Sequence, residues 1–162
     1  LTDIYKFLDS IDISYKRFDH PAVFTVSEAK LLSPDIDGSS TKNLFLRDKK
    51  GIRHFLVTVP QDKQVDLKEL SYTLEASRLS FASPDRLKKY LGIDPGSVSL
   101  LALLNDLEKK VEVVVDNELW ESESILCHPL VNTSTLAIPR DGINKFIENT
   151  GHSLRLIEIP VR

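Results

Sequence analysis

Lys42-Asn43-Leu44-Phe45-Leu46-Arg47, then Asp48-Lys49-Lys50-Gly51, then Ile52-Arg53-His54-Phe55-Leu56-Val57-Thr58-Val59: two apolar runs flank a charged tetrapeptide. Each run is strand-length and rich in aromatic or β-branched side chains. The segment between them has the polar, glycine-ended chemistry of a hairpin turn. The pattern predicts two antiparallel strands, Lys42–Arg47 and Ile52–Val59, and the rest of the chain is read outward from them.

Towards the C-terminus the period changes. Asp66 and Glu69 form a capping box ahead of Leu67, Leu70 and Leu74, which predicts a helix. Ser83 before Pro84, a Leu87-Tyr90-Leu91 stripe and then Gly92 predict a second helix with a marked start and stop. Asp94 to Ser97 reads as a turn. Val98–Leu104 and Val111–Asp116 are expected as paired strands across Asn105-Asp106. Leu126–Ile138 is strand-like and interrupted at Pro129. Asp141 is expected to cap a last helix that turns Ile143, Phe146 and Ile147 inward and stops at Gly151, before a closing strand at Leu154–Ile159. Towards the N-terminus, Ile4, Phe7, Leu8 and Ile11 recur at helical spacing. Ser14–Asp19 alternates as a strand up to His20-Pro21, and Ser27–Leu32 is expected as a short helix.

Strands and helices that interleave irregularly around a hairpin predict an α+β or mixed-sheet α/β fold: a central, largely antiparallel sheet flanked by helices. With no linker and no internal repeat, residues 1–162 are expected as one domain. The apolar fraction of 41% is near the globular norm. No apolar stretch approaches the ~20 residues of a membrane span, so no membrane partner is expected, and no secretory run opens the chain. The single cysteine, Cys127, has no partner for an internal disulfide, from which a cytoplasmic setting is expected. A net charge of −3 argues against broad coating of nucleic acid, but a local basic patch would suffice for a phosphate contact.

The residue types that carry chemistry are few. The four histidines lie far apart and show no metal-ligand spacing, and neither a nucleophile elbow nor a phosphate-binding glycine loop occurs. No cofactor is implied. Cys127 alternates with Leu126 as a buried thiol would. Lys42, at the start of an apolar strand, is either a solvated edge residue or a cation for a phosphate or an anionic transition state. His128-Pro129-Leu130-Val131-Asn132-Thr133-Ser134-Thr135 is either a polar loop or one wall of a polar pocket. Lys49, Lys50 and Arg53 gather at the turn, with Arg78 farther along; such a cluster is a solvated turn or a phosphate-contacting patch.

Taken in order, five segments resemble the YbaK/ProX family, the prolyl-tRNA-synthetase-associated editing domain. They are His20-Pro21-Ala22-Val23-Phe24-Thr25-Val26, Thr41 to Leu46, Gly96-Ser97-Val98-Ser99, Leu103 to Asp106, and His128 to Ile138. The resemblance implies a stand-alone trans-editing hydrolase. It would deacylate mischarged tRNA(Pro), with the Lys42-Asn43 pair and His128 favouring alanyl-tRNA(Pro); a cysteinyl or other small-amino-acid substrate is the alternative, as is a non-catalytic binding module of the same fold. It implies Lys42, Asn43, Gly96 and His128 as catalytic residues. Thr25, Ser97, Val98, Ser99, Asn132 and Thr133 would line the substrate site, and Lys49, Lys50 and Arg78 would meet the tRNA acceptor end. Prolyl-tRNA synthetase is implied as a partner. Leu100 stands where the family's loop has proline.

Overall fold

The computed structural model describes residues 3–22 and 38–162. The helix expected over Ser27–Leu32 and the candidate Thr25 lie outside them. The expected hairpin forms from β2 (Thr41–Arg47) and β3 (His54–Pro60), antiparallel, with Leu44 opposite Val57. It is the centre of a five-stranded mixed sheet, ordered β4-β2-β3-β5-β8. β4 is Ser80–Phe81, β5 is Val111–Asp116 and β8 is Leu154–Ile157. β3, β5 and β8 run parallel, while β2 and β4 are antiparallel to their neighbours. A second, three-stranded antiparallel sheet has the order β1-β7-β6, from Lys16–Asp19, Ser134–Pro139 and Ser124–Cys127.

The helices start where their capping chemistry says. Asp3 accepts the Tyr5 amide ahead of α1 (Ile4–Ser10), and Asp66 accepts that of Glu69 ahead of α2 (Leu67–Thr73). Ser83 accepts from Arg86 ahead of α3 (Pro84–Leu91), which ends on Gly92 at φ 66°, a left-handed turn that costs glycine little.

Two expectations are corrected. Val98–Leu104 is not a strand beside β5; it folds as 3-10 turns, Pro95–Ser97 and Leu100–Asn105. Leu100 to Leu104 are all buried, and a run that is apolar on every side reads as strand or buried helix alike. Its leucines and alanine lack the β-branching that favours a strand, and Ser99 caps the turn by accepting the Leu101 amide. β5 finds its partners in β3 and β8 instead. Asp141 does not cap the last helix, α4 (Arg140–Asn149). Pro139 occupies the cap position, and Asp141 lies in the first turn, where its charge still suits the helix dipole.

One apolar cluster joins the sheets. Phe45, Leu56, Val113 and Val115 of the larger pack with Ile125, Cys127, Leu136 and Ile138 of the smaller, closed by Leu100–Leu104, α1 and α4. The other face of the large sheet packs Leu46, Phe55, Val57 and Val59 against Leu70 of α2 and Leu74, its C-cap.

Candidate functional site

β2 opens at a seam between the sheets. Thr41 Oγ1 donates to the Leu126 carbonyl at 2.7 Å, the Leu126 amide to the Ser39 carbonyl, and the Ser39 amide to the Ser124 carbonyl. The first residues of β2 are thereby laced to β6. Because side chains alternate along a strand, Thr41, Asn43 and Phe45 project into the inter-sheet cluster, and Lys42, Leu44 and Leu46 to the opposite face. β4 pairs only with Leu46 and Arg47, so among the described residues the first half of β2 has no strand on that side. Sheet parallelism adds a second reason to look here: open α/β sheets bind ligands beyond the carboxyl ends of their parallel strands. Asn43 lies opposite Thr58, which lies opposite Val115, near the carboxyl ends of β3 and β5.

Three segments meet at this mouth. The Asn43 carboxamide accepts from Thr58 Oγ1 at 2.7 Å and donates, at 3.5 Å, to the Val98 carbonyl. Ser99, fully buried, donates to the His128 carbonyl at 2.5 Å. Asn43, the 96–99 loop and His128 are therefore linked through two hydrogen bonds, one long and one short. Thr58 was not singled out in the sequence, although counting back across the turn from Arg47 and His54 places it opposite Asn43. Leu100, in the proline position, is buried in the core, and Ser99 rather than a fixed φ anchors the loop. The Ser97 amide donates to the Asp94 carbonyl at 2.9 Å, so it is committed and cannot serve as an oxyanion donor while that turn is formed.

Residues 128–133 connect β6 to β7, with Leu130 at φ 68° at the bend. His128 Nδ1 donates to the Ser134 carbonyl at 3.0 Å, which leaves Nε2 as an acceptor, without a partner among the described residues. Burial, and then the neighbouring His20, hold the His128 pKa below the usual histidine value, against the pull of the Ser134 bond. His20 stands edge-on to it at 6.3 Å between centroids. Its Nδ1 faces the Pro21 carbonyl at 2.9 Å, so Nε2 accepts from Thr135 Oγ1 at 2.7 Å. Thr133 holds this strand end with its carbonyl, which accepts the His20 amide. Asn132 is half-buried in the same connection. Cys127, next to His128, is sealed in the core, and burial pushes its thiol up to about 12; it is no nucleophile at neutral pH.

Lys42 is apart from this group. It faces the side of Val59 and Asp116, and its ammonium has no hydrogen bond or ion pair among the described residues. On that face Asp116 is already neutralised by Lys63, which also lies 3.6 Å from Glu118. Lys49 and Lys50 are farther still. They occupy the β2–β3 turn, six residues beyond Asn43, which is roughly 20 Å at about 3.4 Å per strand residue. Arg78 is exposed near that turn, where the Lys49 amide donates to Ser77 Oγ. Arg53, by contrast, is engaged in a two-pronged pair with Glu112, both contacts 2.8 Å. Among the described residues no group of three or more His, Cys, Asp or Glu is placed to hold a metal ion, and no helix is long and apolar enough to cross a membrane. A cavity of about 920 Å³ opens on the outer side of the small sheet, beside Tyr15, Phe18, Ser124 and Ala137, and no candidate residue lines it.

Comparison with known proteins agrees with the order of these segments. Residues 20–146 match the model of the aminoacyl-tRNA editing domain. The chain is 37% identical to the prolyl-tRNA editing protein ProX of Acetoanaerobium sticklandii, over 94% of this chain and 93% of that one. It is 39% identical to the prolyl-tRNA synthetase associated domain-containing protein 1 of Danio rerio, over 93% of this chain and 83% of that one. A solved structure reported as a candidate trans-editing enzyme for prolyl-tRNA synthetase superposes with a TM-score of 0.71 at 16% identity, covering 99% of each chain. At that identity the superposition speaks for the fold, while the sequence matches carry the family. The chain belongs to the aminoacyl-tRNA editing domain family, in its YbaK/ProX group, and its enzyme class is aminoacyl-tRNA deacylase.

Proposed function

We propose that the chain is a trans-acting editing enzyme that hydrolyses the ester of mischarged tRNA(Pro), with alanine as the amino acid removed. The observation that carries the reading is the junction of Asn43, the 96–99 loop and His128 at the open mouth of β2. Editing is needed where a synthetase meets a smaller amino acid, because a missing methylene or two gives only about 1–3 kcal/mol of discrimination. A second pocket that admits alanine and excludes proline supplies the remainder.

The reaction is ester hydrolysis. Water adds to the acyl carbon, the bond to the terminal ribose oxygen breaks, and that oxygen leaves with a proton as the free ribose hydroxyl. No protein nucleophile is invoked: the lone thiol is sealed away, and the free hydroxyl of the terminal ribose directs the water. The chain's own residues position and polarise. Asn43 is held by Thr58, and its 3.5 Å bond to Val98 is weak enough to be exchanged for a substrate group. The Gly96 to Ser99 loop borders the acyl group and supplies backbone donors for the developing oxyanion; since the Ser97 amide is committed to Asp94, those donors are its neighbours. Neutral His128 offers Nε2 as an acceptor for the substrate amine or ribose. Asn132 and Thr133 complete that wall, and Lys42, at the rim of the same strand, holds the 3′-terminal phosphate. Cytoplasmic prolyl-tRNA synthetase is the partner that would hand over the product of its own error.

The test is a deacylation panel of Ala-, Cys- and Pro-tRNA(Pro), with Lys42→Ala as control. Rapid release of alanine by the wild type, with slower release by the variant, is expected. Equal release by both sinks the role of Lys42. Faster release of cysteine than of alanine sinks the alanine specificity.

A further inference from the structure

A buried ion pair stands on the α2 face of the large sheet, at the same end as the candidate pocket. Lys63 Nζ donates to Asp116 Oδ2, and the two side chains are 7% and 0% exposed. The other Asp116 oxygen accepts the Glu118 amide at 3.0 Å, and the Glu118 carboxylate lies 3.6 Å from the same ammonium. Lys63 therefore takes up two carboxylates at the carboxyl end of β5. Its own segment is tied down: the Lys63 amide donates to the Pro60 carbonyl, the Gln61 amide to Ser40 just ahead of β2, and the Arg162 amide to Gln64. The strand register brings Lys42 to this pair. Lys42 lies opposite Val59, and Thr58 opposite Val115, so Lys42, Val59 and Asp116 form one row across β2, β3 and β5. Val59 and Val114 pack on the α2 face, and alternation puts Lys42 and Asp116 on that face with them. The two backbones are roughly 10 Å apart at about 4.8 Å per strand, a gap that a flexible lysine stem and a carboxylate can close between them. They do not close it: Asp116 is occupied by Lys63, and the Lys42 ammonium has no ion pair among the described residues.

A buried ion pair is a poor source of stability, because lost hydration offsets the attraction; this one has a use in its position. We propose that Lys63 is a positioning residue for Lys42: by holding Asp116 and Glu118, it keeps the Lys42 ammonium unpaired and available to a phosphate of the substrate's 3′ end. The inference rests on the editing reading, in which Lys42 meets that phosphate, and adds what keeps it available. Without the Lys63 charge, Asp116 would be a buried carboxylate with one oxygen lacking a donor, a state that draws in a cation. Lys42 is the cation in its row. Arg155, on the neighbouring β8, faces Val114 instead, and its guanidinium points to the Thr73 carbonyl at 3.4 Å. Capture by Asp116 would turn Lys42 inward across β3, away from the edge of β2 that β4 leaves open, and would cancel its charge.

The experiment is a double-mutant cycle between Lys63→Gln and Lys42→Ala, read as KM and kcat on an alanylated RNA minihelix and as the Kd of the uncharged minihelix. Glutamine keeps a donor for Asp116 and removes only the charge. Lys63→Gln is expected to raise KM and Kd about tenfold, as for a lost charged hydrogen bond, with kcat near that of the wild type. In the Lys42→Ala background the same substitution should change neither, because no ammonium is left to capture. Adding Asp116→Asn to Lys63→Gln removes the buried captor and should bring KM and Kd back to within about threefold of the wild type; Glu118, half-exposed, is screened by water. Lys63→Arg, which keeps the charge, should stay near the wild type as well. Losses that multiply across the cycle, or a Lys63→Gln protein that matches the wild type, overturn the proposal. If Lys63→Gln alone does not fold, the variant that also carries Asp116→Asn decides: a tenfold loss there gives Lys63 a substrate contact of its own and overturns it. If the wild type binds the minihelix but releases no alanine, the editing reading falls, and the Kd cycle still judges Lys63.

Discussion

The two ends of the large sheet treat their polar groups in opposite ways. At the turn end most of them are paired. The Asp48 carboxylate accepts the Ile52 and Arg53 amides, and Asp106 accepts the Lys110 and Val111 amides together with His152 Nε2. His54 is packed between Phe45 and Tyr90 and accepts from Arg86 at Nε2, while its buried Nδ1 is the exception, without a partner among the described residues. At the mouth end, groups of the same kinds are left partly free: Asn43 with one long bond, His128 with one ring nitrogen to spare, and Lys42 without a partner among the described residues. A buried polar group that is fully paired locks a structure, whereas one with capacity in hand can bind something else. Titratable side chains occur at both ends, and so does an unpaired ring nitrogen, so neither alone marks a site; the gathering of several partly free groups at one mouth does.

Breaking the paired end is expected to cost the most stability. Burial alone would raise the Asp106 carboxyl, but the His152 side chain and then the Val111 and Lys110 amides outweigh it and hold its pKa below the usual carboxylate value. Asp106→Ala strands all three donors in the interior, and about 3 kcal/mol of unfolding free energy should disappear. A urea titration checks this through the midpoint. The rate per folded molecule on Ala-tRNA(Pro) should stay near that of the wild type; a rate that collapses while the midpoint holds would reverse the assignment of the two ends. The complementary change is Asn43→Ala. It removes one carboxamide at the open mouth and should slow single-turnover deacylation about 100-fold, roughly 2.7 kcal/mol of barrier. The urea midpoint should move by less than the Asp106 variant moves it.

The hairpin, the caps at Asp66 and Ser83 (though not the one expected at Asp141) and the family were legible because each depends on local chemistry or on an ordered set of short motifs. Ser83-Pro84 with Gly92 bounded α3 to the residue, and Asp66 with Glu69 started α2. What stayed hidden was non-local. Val111–Asp116 read correctly as a strand, but its neighbours, β3 and β8, lie far away in the chain. Leu100 to Leu104 misled because uniform burial erases periodicity. Lys42 and Asn43, adjacent in sequence, were grouped as one catalytic pair, yet the pleat sends them to opposite faces of the sheet. The tie of Ser99 to the His128 carbonyl joins residues 29 positions apart, which no motif could announce.

Acid should weaken both ends, and the two histidines separate the effects. His54 is held below the usual value by burial first and then by Arg86, and His128 by burial first and then by His20. A depressed pKa in the folded chain means that the unfolded chain takes up the proton first. The stabilisation is therefore complete above the unfolded value of about 6.5 and is lost as pH falls through the folded value. The urea midpoint should decline between neutral pH and pH 5, above the window in which Asp48 and Asp106 titrate. In His54→Gln that decline should be shallower with the deacylation rate unchanged. In His128→Gln the rate should fall as well. Identical midpoint–pH curves for wild type and both variants would remove the histidines from the account.

The smallest expected effect is at Gly51, and it tests how the turn end holds α3. Gly51 sits at φ 69°, and a Cβ built there would lie 2.7 Å from Arg86 Nη2 and 3.0 Å from its Cζ. Gly51→Ala thus meets two penalties: a left-handed backbone that alanine tolerates poorly, and a guanidinium that has to retreat from the Gly51 carbonyl and from His54. Arginine is flexible at its far end, so the steric part is partly relieved, and the sum should be about 1 kcal/mol. Gly51→Asn, which accepts the left-handed region more readily, keeps the clash but reduces the backbone cost. If the asparagine variant is as stable as wild type, backbone conformation accounts for the loss. If asparagine and alanine cost the same, the close approach of Arg86 is what the glycine serves, and the paired end depends on α3 being fastened to the turn.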